Sequence, residues 1–271
     1  MSQTVASSPL RRGGLPDALL NAATTLWFFV LLAGQWVFLY FIAAFYGPST
    51  LSGNFEAWDE NPFISHGYVA GDSMGNLAFA GHVLMAMVIV FVGTLQLIPW
   101  IRKHAPWFHR WNGRVFLVSA VLASIAGLWM DVTREIAVEG LAANFSISFN
   151  GVLVLILAAL AWRAAAARNF VSHRRWALRT FVVVNGVFFL RLMVFGYIVL
   201  AQAPPSDVLF EVLTYLSYLL PLMLMELYLR AKNGPGFARV GMAVLVLGAS
   251  AYMAAGIVGY TLIFVKRVLG A

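Results

Sequence analysis

Seven long apolar runs interrupt this chain, at roughly 24–46, 77–100, 114–133, 144–163, 177–201, 207–230 and 240–265. A helix rises about 1.5 Å per residue, so each run suffices to cross a hydrocarbon core about 30 Å thick. In hydrocarbon every backbone N–H and C=O must find its partner within the protein, and a helix provides that inside a single segment. Composition agrees: 61% of the 271 residues are hydrophobic and only 11% are charged, too little charge to cover a soluble surface of this size. The expected fold is all-α, a polytopic transmembrane bundle of about seven spans. Its expected organisation is an N-terminal segment 1–23, one transmembrane domain 24–265, and one long loop at 47–76. Gly47-Pro48, Pro204-Pro205 and Gly234-Pro235-Gly236 are expected to break three connections. The first run exceeds a signal-peptide core in length and lacks a cleavage site, so it is read as a retained helix.

Charge placement gives the expected orientation. Arg11, Arg12, Arg102, Lys103, Arg163, Arg168, Arg175, Arg230, Lys232 and Arg239 gather, with the arginines of two patches quoted below, at one set of span ends. Glu56, Asp59, Glu60, Asp72, Asp131, Glu135, Glu139, Asp207 and Glu211 gather at the other. Arg134, Lys266 and Arg267 run against the first trend, Asp17 and Glu226 against the second. The positive-inside rule then places the N-terminus inside and the C-terminus outside. The 47–76 loop, with Trp58, His66, four acidic residues and no Lys or Arg, falls outside. The net charge of +7 therefore belongs to helix flanks facing anionic lipid at the cytoplasmic surface, and no nucleic-acid partner is expected. Cysteine is absent, which excludes disulfides, iron–sulfur clusters, c-type haem and thiolate metal ligands.

Two patches on the cytoplasmic side share an order of residue types: HRWNGRVF at 109–116 and HRRWALRTF at 173–181. Interfacial preference explains their Arg and Trp. It leaves unexplained the repeated His109-Arg110 and His173-Arg174, each followed by a further arginine, Arg114 or Arg179. These residues form an inner polar layer with Gln96 and Glu226, in which an ion pair from Glu226 to Arg114 or Arg179 is expected. A second layer lies deeper. Arg191 falls in the outer half of the fifth span, where a charge costs about 2.5–3.5 kcal/mol and calls for a polar partner or a wet cavity. Candidate partners at its height are His82, Asp131 and Glu211, and Gln35 and Asn150 could line the same cavity. His104 is expected to be a solvated loop residue. No strict metal motif is present.

The stretch GHVLMAMVIVFVGTLQL (81–97), together with the two patches, resembles a bacterial family of predicted membrane proteins catalogued as domain of unknown function 2306. The family pattern is a helix with an early His and a later Gln, then H-R-x-x-G-R, then H-R-x-W followed downstream by an Arg. Here it falls on His82, Gln96, His109-Arg110, Gly113-Arg114, His173-Arg174, Trp176 and Arg191, and covers about 77–200. The resemblance implies a multi-pass protein of the bacterial inner membrane and brings no established activity or enzyme class.

Three functions stay open. The first is electron transfer linked to haem b or a quinone, with His109 and His173 as a paired cytoplasmic-side site, neighbouring arginines on the propionates, and His82 as a further ligand. Against it, both histidines sit at helix starts, and His82 has no outer partner but His66. The second is a small-molecule or proton-linked transporter using Arg191, Glu211, Gln96 and Glu226 as a polar pathway. Against it, no span is visibly broken in its middle. The third is an accessory or assembly subunit of a larger membrane complex.

Overall fold

The computed structural model describes residues 14–61, 67–134, 141–265 and 270. Arg11, Arg12, His66, Glu135, Glu139, Lys266 and Arg267 lie outside the described residues. Within them all regular structure is helical. Helix α1 spans Leu15–Ser52, α2 Ser73–Leu97, α3 Pro99–His104, α4 Pro106–Arg134, α5 Leu141–Ala166, α6 Phe170–Val184, α7 Gly186–Ala201, α8 Asp207–Ala231 and α9 Gly236–Gly259. α9 runs on into a wider helical turn, Tyr260–Val265. Among the described residues six helices are long and apolar enough to cross a membrane, and α6 with α7, bent by 51° at their break, make a seventh where the pair counts as one span.

α1 begins before the apolar run and continues through Gly47-Pro48, so that dipeptide does not end the first span. Pro48 removes one N–H from the helix ladder. The hydroxyls of Ser49 and Thr50 fold back onto the carbonyls of Phe45 and Tyr46, keeping that turn supplied with donors. The connection to α2 therefore starts after Ser52, with a short 3-10 turn at Phe55–Glu60 that buries Trp58 against Phe79. Pro204-Pro205 and Gly234-Pro235-Gly236 do lie between helices.

The bend in the fifth span is a departure from the unbroken helix expected there, and its cause is local. Asn185 sits between the two halves and turns its side-chain amide onto the carbonyl of Phe181 at 2.7 Å. Asn150 of α5 donates to the carbonyl of Val183 at 3.0 Å. Two carbonyls loosened by the bend are thus satisfied by asparagine side chains, as burial in hydrocarbon requires. Gly186, the first residue of α7, lets this turn come close to Asn150 and Tyr218.

Packing runs chiefly α2 on α4, α4 on α5, α5 on α6, and α1 with α7 on α9. Small residues permit the tightest approaches: a side chain on Gly256 would collide with the backbone of Leu192, so α7 and α9 meet backbone to backbone. Gly93 of α2 leaves room for Phe116 of α4 and Phe181 of α6, whose rings stack with centroids 6.2 Å apart.

Candidate functional site

The two patches become the first turns of α4 and α6. Aligned on tryptophan they share W-x-x-R-x-F, and the geometry repeats with the spacing. Arg114 lies over Trp111 and Arg179 over Trp176, each 4.7 Å from the ring centroid, while Phe116 and Phe181 are the stacked pair on Gly93. Glu226 of α8 accepts from Arg179 Nε at 2.7 Å, and Arg114 remains exposed on its tryptophan. Arg110, Arg174 and Arg175 are exposed.

The histidines do not repeat. His109 stands two residues before its tryptophan and His173 three, and one residue is about 100° around a helix. His173 Nδ1 donates to the carbonyl of Ala161 at 3.0 Å. His109 offers its own carbonyl to Gln96 at 3.0 Å, and its Nδ1 is buried without a hydrogen-bond partner among the described residues. Arg102 and His173 are the charged groups near enough to act on His109. His104 is exposed against Trp100. Asn112, which the sequence reading passed over, donates to the carbonyl of Val92 at 2.8 Å; with Gln96 packed on Gly113 it stitches α4 to α2.

A haem between His109 and His173 would need room beside two helix starts. Phe116 and Phe181 close on Gly93 two turns further in, and neither histidine lines either cavity described below. Among the described residues no three His, Cys, Asp or Glu gather as a metal site. His109 and His173 thus border neither of the two cavities, and the His173 Nδ1 is already engaged by the Ala161 carbonyl.

The deeper layer encloses space. A cavity of about 290 Å³ lies at the α6–α7 bend, lined by His82, Asp131, Asn150, Asn185, Arg191 and Tyr218 among others. His82 Nδ1 donates to the carbonyl of Ala123 at 2.9 Å, and its ring lies against Gly127. Asp131 takes a short hydrogen bond from the Ser148 hydroxyl on Oδ2. Its Oδ1 is buried with no hydrogen-bond partner among the described residues. Arg191 Nη1 donates to the carbonyl of Val187 at 3.2 Å, and its guanidinium lies 5.0 Å from the Phe38 ring centroid, its charge facing the phenols of Tyr46 and Tyr260. Gln35 is fully buried and reaches the cavity wall through Asn185, to which it donates at 2.9 Å. Glu211 does not line the cavity, although its neighbours Phe210 and Thr214 do.

Two further features were not singled out in the sequence. Arg134, one of three basic residues expected amid the acidic ends, is 3% exposed in its side chain and pairs with Asp72 at 2.7 Å. It also donates to Asn76 Oδ1 at 2.8 Å. Gly75 leaves this cluster its space, since a Cβ there would overlap the Arg134 guanidinium and the Asp72 carboxylate. The second is a cavity of about 630 Å³ between α1, α6, α7, α8 and α9, whose lining carries no charged side chain.

No curated protein and no solved structure matches the chain. The family DUF2306, described as a predicted membrane protein, matches residues 79–229. That stretch is more than half the chain. It runs from α2, with His82 and Gln96, through both patches and the bent span to Glu226 of α8, so the chain belongs to the DUF2306 family of predicted membrane proteins.

Proposed function

We propose that this protein is a carrier for a small polar solute, with the solute held at the α6–α7 bend. One observation carries the reading. A span broken at membrane depth borders a cavity that collects His82, Asp131 and Arg191, and carriers build their sites from discontinuous helices and intramembrane charges. The orientation that goes with it has the N-terminus in the cytoplasm of a bacterial cell. The exposed Arg110, Arg174 and Arg175 then meet anionic headgroups of the inner membrane.

A carrier opens its site to each side in turn. The chain has no cysteine, so Ser124→Cys, on the cavity wall, introduces a single reporter thiol. Right-side-out and inverted vesicles are treated with a membrane-impermeant thiol reagent. Modification from both faces is expected; modification from one face only, or from neither, sinks the reading.

The electron-transfer reading retains one support, the closeness of His109 to His173. A reduced-minus-oxidised absorption spectrum of protein purified from haem-replete cells tests it. Sharp bands lost in His173→Ala would restore that reading, and the expected result is a featureless difference.

A further inference from the structure

Among the described residues Asp131 is the one carboxylate lining the cavity. The chain carries it there on α4, where Ala123, Gly127 and Asp131 are spaced at i, i+4 and i+8 and share one face. His82 binds the first of these through its carbonyl and lies against the second. Because a carbonyl can only accept, His82 Nδ1 must carry the hydrogen, which leaves Nε2 as the atom able to take or give a proton. Asp131 Oδ2 is served by Ser148. Oδ1 is buried in the described structure with nothing to donate to it.

From this geometry we infer that Asp131 Oδ1 is the proton-coupling site of the carrier, and that a proton there and the solute's N–H or O–H donor are alternative occupants. The inference rests on the carrier reading above. An ionised carboxylate is an acceptor at both oxygens, so when the cavity is empty Oδ1 has an unmet need that a bound proton removes. When a solute enters with a donor group, that group hydrogen-bonds to Oδ1 and the proton leaves to water. On the other side the solute departs and a proton from water returns to Oδ1. One proton moves against one solute, and no bond other than O–H and N–H is made or broken.

Among the described residues, the other titratable or charged groups lining the cavity are His82 from α2, Arg191 from α7 and Tyr218 from α8. On its own helix, Arg134 lies one turn away and is committed to Asp72. Ser148 and Asn150 of α5 are polar and do not titrate. Glu211 of α8 is outside the lining.

The test reads the proton directly. Infrared difference spectra are recorded on the full chain in lipid as the pH is stepped from alkaline to acid. A protonated carboxyl band is expected that shifts in heavy water, shifts again when aspartate is carbon-13 labelled at its carboxyl, disappears in Asp131→Asn, and survives in Glu211→Gln. Isotope labelling of the unmodified chain needs no variant to fold. A wild-type spectrum without such a band, a band indifferent to aspartate labelling, or one that persists in Asp131→Asn overturns the inference. The outcomes are separable from those of the carrier reading. Thiol modification from both faces with a surviving band removes the proton site alone. A lost band with modification from one face removes the carrier and, with it, the exchange.

Discussion

At one end of the bundle the Arg134 side chain is 3% exposed and shares its donors among Asp72, Asn76 and Gly67, while at the other Arg179 is 21% exposed and divides itself between Glu226 and the face of Trp176. Both pairs have the same 2.7 Å nitrogen–oxygen distance, so distance does not distinguish them. Surroundings do. The first ties α2 to α4 and closes the guanidinium almost wholly off from water, while the Asp72 side chain stays 36% exposed. The second ties α6 to α8, and α6 is the half-span that meets its continuation at 51°. A guanidinium that water already reaches can exchange its partner for solvent at little cost, whereas one closed off from water has no substitute for the acceptors it would lose. The α2–α4 unit is therefore the fixed frame of the molecule, and the α6–α8 contact is the compliant one.

The largest effect is expected from Arg134→Leu. Arg134→Leu strips Asp72, Asn76 and Gly67 of one shared donor group at once, so the thermal midpoint should fall by more than the ceiling of about 4 °C that applies to the Glu226 variant below. Tryptophan fluorescence in detergent reads it, and a drop no larger than that of the Glu226 variant below would erase the contrast.

Acid should act on the same end. The backbone N–H of Gly75, and after it the Arg134 guanidinium, hold the Asp72 carboxyl below its ordinary value of 3.8. A depressed carboxyl contributes stability that is fully present above its unfolded value and is lost as pH falls through its folded one. The thermal midpoint should thus hold from neutrality to about pH 5 and decline below 3.8. The decline should be shallower in Arg134→Leu, where only the Gly75 contribution is left; equal declines would show that the guanidinium plays no part.

Glu226→Gln should do least. Its pair is about a quarter exposed, and such pairs contribute about 0–1 kcal/mol, so the midpoint should move by at most about 4 °C.

The spans were legible because hydrophobic length is a one-dimensional property, and depth along a helix follows from counting residues. That is why His82, Asp131 and Asn150 could be set at the height of Arg191 before any packing was known. The bend was not legible. Asn185-Gly186 lies inside a run apolar enough to pass for one helix, and what breaks it is the tertiary bond from Asn150 and the side chain of Asn185 itself. Glu211 has the right height but lies outside the cavity wall, which height alone cannot tell. Glu226 could have met Arg114 or Arg179, and only the adjacency of α6 and α8 selects the second. The two patches looked like a repeat of histidines. In three dimensions Trp, Arg and Phe repeat, while of the two imidazoles only that of His173 has its Nδ1 on a carbonyl and that of His109 has its Nδ1 buried without a hydrogen-bond partner among the described residues.

α1 packs chiefly on α9, and the pairing is fastened where Asp17 meets Arg239, 222 positions further along the chain. Synthesis delivers these two helices far apart in time, the earlier one needing the later. At about 5–20 residues per second, α1 waits roughly 10–45 s in the bilayer before its main partner exists. During that interval the side that carries Leu20, Leu31, Phe38 and Phe41 is open to whatever helix is nearby. An insertion chaperone, or early docking on α2, is what would keep the nascent protein from pairing with a neighbour.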